Sequence, residues 1–193
     1  MLIVLDCEKG VGKMLIGKKV RLRGITEKDL PKAAEYMNDP EVILNLITRI
    51  PYPVTLDREK KWYESQMENQ DTYNFSIETL DGGLYIGGCG VNRLDLKNGV
   101  AVVGIFIGHK DYRGKGYGTD AMNVLLDFIF NQINVNKVQL NVFAFNERAI
   151  KSYKKCGFVE EGRLRQVIFR NGKYRDVIVM GILREEYFNN RKK

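Results

Sequence analysis

The sequence predicts an α+β domain built around one mixed sheet. Three observations carry this. Short runs alternate apolar and polar residues, as half-buried strands require, while other runs repeat apolar residues every three or four positions. A glycine-rich basic segment stands where the first pattern gives way to the second. With 193 residues and no internal repeat or linker, one domain with a substantial core is expected.

Residues 1–16 read as an N-terminal extension and residues 17–193 as the domain. Gly10-Val11-Gly12-Lys13 hints at a phosphate loop, but the G-x-x-x-x-G-K-[ST] spacing is missing and Met14 replaces the Ser or Thr. A tail or an added edge strand is expected there. Val20 and Leu22 share one face of a strand that carries Lys19, Arg21 and Arg23 on the other. Thr26 caps a helix, with Asp29 three residues on and Pro31 early in it. Pro40, Pro51 and Pro53 interrupt the next stretch, so residues 38–56 are expected mostly as loop.

A second helix spans residues 56–69 and should bury Trp62 and Met67. Tyr73, Phe75 and Ile77 then alternate as a strand, and Asp81-Gly82-Gly83 supplies a hairpin turn. Two more strands occupy residues 84–94 and 100–108, joined around Asn98-Gly99. Behind the basic loop, Ala121, Leu125, Phe128 and Ile129 recur at helical spacing. Val138, Leu140 and Val142 form a strand, Asn146 opens a helix, and Gly157 ends it. A closing hairpin pairs residues 158–169 with residues 174–183 about Asn171-Gly172.

Composition narrows the function. Residues 1–145 carry 18 basic and 18 acidic side chains, so the whole net charge of +7 comes from residues 146–193. A positive face toward an anionic ligand, or a solvated basic surface, fits this better than a coat for DNA. No helix-turn-helix, zinc or RNA-binding pattern is present, so no nucleic-acid partner is expected. Cys7, Cys89 and Cys156 are odd in number and far apart, and His109 is the single histidine. Neither a disulfide framework nor a metal site is expected. No apolar run is long enough to span a membrane, and the N-terminus lacks signal-peptide character, so a cytoplasmic protein is expected.

Arg113-Gly114-Lys115-Gly116-Tyr117-Gly118 lies between a strand and a helix. A helix start offers free backbone N–H groups and the positive end of its dipole, and glycine lets a phosphate approach them. By itself the loop fits either a pyrophosphate cradle or a plain strand-to-helix turn. Downstream, Asn146, Ala149 and Tyr153 share one helix face, with Gly157-Phe158 beyond it. That face reads either as the lining of a site or as a cap and a packed ring.

Together, R-x-x-G-x-G and then N-x-x-A-x-x-x-Y-x-x-x-G-F resemble the GNAT superfamily of acyl-CoA-dependent N-acetyltransferases over roughly residues 20–183. The ending, with Glu161-Gly162, Asn171 to Asp176 and Met180, resembles the ribosomal-protein N-terminal and spermidine acetyltransferase branch. The resemblance implies a largely antiparallel central sheet with helices on both faces. It also implies acetyl-CoA as cosubstrate, without a metal, and a primary amine as acceptor. The backbone of Phe106, Ile107 and Gly108 would pair with the pantetheine arm. Arg113, Gly114, Lys115, Gly116, Tyr117, Gly118 and Thr119 would cradle the pyrophosphate. Asn146 would contact the pantetheine or shape its channel, and Tyr153 would protonate the departing thiolate.

Two positions that are often acidic in such proteins are Val102 and Asn141 here, and neither takes a proton. Glu78, Glu160 and Glu161 remain as candidate bases, each also readable as a surface charge. Acceptors compatible with the resemblance are a protein N-terminus, a polyamine, an amino sugar or an aminoglycoside. The variable segment holds only Asp39, Glu41 and Asp57, which favours a peptide or another small amine. A homodimer is compatible with the resemblance, and a non-catalytic acyl-CoA sensor of the same fold is the alternative.

Overall fold

The computed structural model describes residues 15–68 and 72–191, without the side chains of residues 67 and 68. Residues 10–14 and Cys7, and the side chain of Met67, lie outside that set.

The elements in chain order are β1 (Val20–Gly24), α1 (Leu30–Met37), α2 (Pro40–Leu46), α3 (Leu56–Glu68), β2 (Tyr73–Thr79), β3 (Tyr85–Asp95) and β4 (Val100–Ile107). They continue as α4 (Tyr117–Gln132), β5 (Lys137–Phe143), α5 (Glu147–Lys155), β6 (Val159–Arg170), β7 (Lys173–Leu183) and α6 (Arg184–Arg191). All seven strands form one sheet in the order β1-β2-β3-β4-β5-β7-β6. Every pair of neighbours is antiparallel except β4 and β5, which run parallel. The α+β class and the mixed sheet are therefore as the sequence predicts.

The core follows from amphipathic periodicity. Ala121, Met122, Leu125, Leu126 and Ile129 line the buried stripe of α4, which packs on β1, β3 and β4. Ala101 and Val103 meet it from β4, and Val138 and Leu140 from β5. The chain's entry to the sheet is tied to this helix. Asp120 accepts hydrogen bonds from the N–H groups of Lys18 (3.1 Å), Lys19 (2.7 Å) and Val20 (3.1 Å). Leu15 is already buried in the core, and Ile16 bridges to Arg21.

Three expectations need correction. Residues 38–56 are not mostly loop, because Pro40 begins α2. Proline is tolerated in a first helical turn, where its missing N–H would have no intrahelical partner. Asp39 caps that helix by accepting from the Glu41 N–H at 2.9 Å. Trp62 is 41% exposed rather than buried, since α3 packs mainly on α1. Finally, the hairpin leads into α6, whose Tyr187 stacks on Phe130 with ring centroids 4.8 Å apart.

Candidate active site

A cleft opens where β4 and β5 part. Their parallel ladder has three rungs, Val100 with Lys137, Ala101 with Val138 and Val102 with Gln139. Beyond them β4 keeps β3 on its far side through Ile107, and β5 keeps β7 through Phe143. The facing edges over residues 103–107 and 140–143 are left without a strand between them. An unpaired backbone edge can accept an extended ligand arm as an added strand. The cleft has a volume of ≈ 1060 Å³, with Phe106 and Ile107 on one wall and Asn146 and Tyr153 on the other.

The glycine-rich loop forms one end. Gly116 is the N-cap of α4 with φ of 87°, and no side chain caps the helix. A β-carbon would be strained at that φ, so glycine is needed for the shape. The first N–H groups of α4 have no intrahelical partner and stand at the positive end of its dipole, which is the chemistry of an anion site. Gly114, Gly118 and Thr119 line the same end. The Thr119 hydroxyl is 2.8 Å from that of Ser152 on α5, which ties the two helices together.

Arg113 is held by the protein itself. Its Nε donates to the Ile107 carbonyl at 3.0 Å, Nη1 to Glu41 at 2.5 Å, and Nη2 to Asp39 at 2.8 Å and the Gly108 carbonyl at 2.5 Å. Its side chain is 6% exposed. The guanidinium thus fastens α2 to the end of β4. Burial works against the Asp39 charge, yet the bonds from Arg113 and the Glu41 N–H hold its carboxyl below the ordinary range.

Three of the expected residues stand outside the lining. A β-carbon on Gly108 would come within 2.1 Å of the Tyr36 ring, so Gly108 permits close packing there. The Lys115 carbonyl accepts from Lys19 Nζ at 2.9 Å, and its side chain is exposed. Tyr117 meets the Tyr112 ring edge-on at 4.8 Å, with Lys19 Nζ 5.1 Å from its centroid.

On the opposite wall, Asn146 caps α5 by accepting from the Ala149 N–H at 3.2 Å. Tyr153, one helix face along, is buried against Phe158 at 5.9 Å. Burial pushes its phenol well above the ordinary tyrosine value, with Cys156 adding to the effect. Its proton is thereby held more tightly, which suits a donor better than a base. The phenol oxygen has no hydrogen-bond partner among the described residues.

Val102 and Asn141 both line the cleft, as does Asn92. The three glutamates considered as bases do not. Glu78 is buried between Arg21 and Arg23, Glu160 pairs with Arg163 at 3.7 Å, and Glu161 pairs with Lys137 at 2.7 Å. Other lining residues were missed from sequence. Arg148, Lys151 and Lys155 have an i, i+3, i+7 spacing that puts a basic stripe on α5, which the charge count of the last quarter could have located. Val42 and Leu46, one turn apart, line it from the helix taken for a loop.

A family model for the acetyltransferase (GNAT) domain matches residues 19–159. The SPbeta prophage-derived uncharacterized N-acetyltransferase YokL of Bacillus subtilis (strain 168) is 31% identical over 172 residues, covering 89% of this chain and 93% of its own. Spermidine N(1)-acetyltransferase of Vibrio cholerae is 29% identical over 174 residues, covering 90% of this chain and 98% of its own. The crystal structure of spermidine N-acetyltransferase from Vibrio cholerae in complex with CoA and spermine superposes with a TM-score of 0.80 at 29% identity, over 88% of this chain and 98% of that one.

Proposed function

Since the chain belongs to the GNAT acetyltransferase family, we propose that this cleft binds acetyl-CoA and that its residues carry the acetyl group to a primary amine by direct attack on the thioester. One observation carries the assignment of the site. The uncapped start of α4 opens into the gap between β4 and β5, and Tyr153 stands on the wall of that gap. In this reading the N–H groups of residues 117–119 hold the pyrophosphate, and Lys151 and Lys155 add charge beside it. The open edge of β4 around Ile107 pairs with the pantetheine amides. Asn146 shapes the channel between α5 and that edge.

Chemically, the neutral amine attacks the thioester carbonyl carbon, and backbone N–H groups at the split stabilise the oxyanion. The C–S bond then breaks while Tyr153 donates its proton to the leaving sulfur. The attacking nitrogen loses its extra proton to water in the open cleft. A single domain from about residue 17 onward, in the cytoplasm, belongs to this reading, supported by buried free Cys89 and Cys156. A homodimer belongs to it as well, supported by exposed Val159, Phe169 and Tyr174 on the outer hairpin.

The alternative, a non-catalytic acyl-CoA sensor, draws its support from Val102 and Asn141, neither of which takes a proton. Release of CoA thiol separates the two. Amine-dependent release above the rate of thioester hydrolysis is expected. Tight acetyl-CoA binding with no release across a broad amine panel would assign the sensor instead.

A further inference from the structure

Resting on the acetyltransferase reading, we propose that the acceptor is an α-amine beside an apolar side chain, as at the start of a peptide, and not a polyamine. Part of the cleft wall is apolar, since Val42 and Leu46 of α2 and Leu164, Val167 and Ile168 of β6 all line it. The β6 contribution depends on a bulge. Leu164 pairs with Val177 and Ile168 with Arg175, so three residues of β6 oppose Asp176 alone. Asp176 fastens the bulge by accepting from the Gln166 N–H at 2.9 Å and from Arg163 at 3.1 Å, and Gln166 takes φ of 53°.

The charge at the cleft does not suit a polyamine. Among the described lining residues the carboxylates are Glu41 and Glu147. Glu41 is held by Arg113 at 2.5 Å, and Glu147 faces Lys151 at 3.7 Å on its own helix. Arg148 and Lys155 add further positive charge. A triply charged acceptor would meet more cations than anions, with no carboxylate on the apolar wall. The phosphates of acetyl-CoA would neutralise the cations but would add no partner at that wall.

Base chemistry points the same way. Val102, Asn92 and Asn141 stand around the parting of the strands, and none takes a proton. Tyr153 keeps its own. With no base at the parting of the strands, an acceptor that arrives already neutral is favoured. An α-amine has a pKa of about 7.7–8.0 and an alkyl amine about 10.4, so their neutral fractions at pH 7 differ by roughly 300-fold.

The test compares kcat/KM at pH 7 and pH 9 for four acceptors: a tripeptide starting with Leu, its counterpart starting with Ser, 3-methylbutylamine and spermidine. Acetyl-CoA binding is measured by calorimetry on the same preparation. The Leu tripeptide should exceed spermidine at pH 7 by about tenfold or more, and the Ser tripeptide by about tenfold through burial of the apolar side chain. 3-Methylbutylamine should trail at pH 7 and gain more than the peptide by pH 9. Val167→Glu, at a half-exposed position, should raise the ratio of spermidine to Leu-tripeptide activity. Spermidine equal to or better than the Leu tripeptide, or one common pH dependence for all acceptors, overturns the inference, as does acetyl-CoA binding without turnover of the Leu tripeptide. Absence of acetyl-CoA binding overturns the acetyltransferase reading along with it.

Discussion

At the scale of single residues, Tyr153 and Arg113 show how far residue type alone carries. The Tyr153 phenol, without a hydrogen-bond partner among the described residues, sits on a buried ring, and its raised pKa is compatible with the proposed role of donor. Tyr153→Phe retains the ring packing against Phe158 and removes the proton. General-acid catalysis is worth typically about 10²–10⁴-fold, and a thiolate leaves fairly readily, so a loss of about 10² in kcat is expected. KM for acetyl-CoA should hardly move, because the hydroxyl acts only in the transition state. Steady-state kinetics on the folded variant checks both values, and an unchanged kcat would remove Tyr153 from the mechanism. Tyr153 was legible because its helical spacing from Asn146 is local. The role of the Arg113 guanidinium was not. Its partners Glu41 and Asp39 lie 72 and 74 residues away, and a basic residue in a glycine loop looks the same in sequence whether it faces a phosphate or a carboxylate.

At the scale of elements, β1, β2 and the turn into α1 are joined by one ionic network. Arg23 donates to Asp29 at 2.7 Å and also to Glu78, while Asp29 accepts from the Thr26 N–H at 2.9 Å and the Ser76 hydroxyl at 3.0 Å. Burial works to raise the Asp29 pKa, but the bonds from Arg23 and Thr26 win and hold it below the ordinary range. A depressed folded-state pKa contributes stability above the unfolded value, near 3.9, and loses it as pH falls through the folded value. Asp29→Asn should thus cost about 1–3 kcal/mol at pH 7, leaving the part-buried Arg23 with Glu78 as its remaining carboxylate. The gap from wild type should narrow in thermal melts below about pH 4. A gap independent of pH would mean that Asp29 acts through packing alone. The partial capping box at Thr26 and Asp29 was readable, since it spans three residues. The link to Glu78 was not, because it depends on the pairing of Arg23 with Ser76 across the sheet. Likewise α2 was hidden by its proline, which breaks a helix interior but starts a helix well.

At the scale of the molecule, the sheet is two blocks joined by three parallel rungs, with α4 packed across the first block. The succession of strands along the chain and the α+β class were legible because hydrophobic period and turn residues are local signals. The position of the split was not, because it depends on where two distant strands stop pairing. A ligand seated in the split binds only the folded chain. Acetyl-CoA at ~100 times its Kd should therefore stabilise by about 2.7 kcal/mol. For a chain of this size that is a rise in Tm of roughly 5–10 °C. Thermal unfolding without any acceptor is the measurement, and no rise at millimolar acetyl-CoA would count against the site.

The Arg113 clamp has a consequence for the order of events in the cleft. One guanidinium holds α2, whose Val42 and Leu46 form part of the apolar wall, and also the last carbonyl of β4 and that of Gly108 after it, next to the loop where α4 begins. Two ligands that both bear on this fastening would be coupled through it. By linkage, the factor by which acetyl-CoA changes the affinity for an acceptor equals the factor by which the acceptor changes the affinity for acetyl-CoA. Calorimetric titrations with a non-reactive acyl-CoA analogue, run in both orders, should return one factor greater than one. Arg113→Lys, which cannot span all four acceptors, should bring that factor toward unity while both ligands still bind.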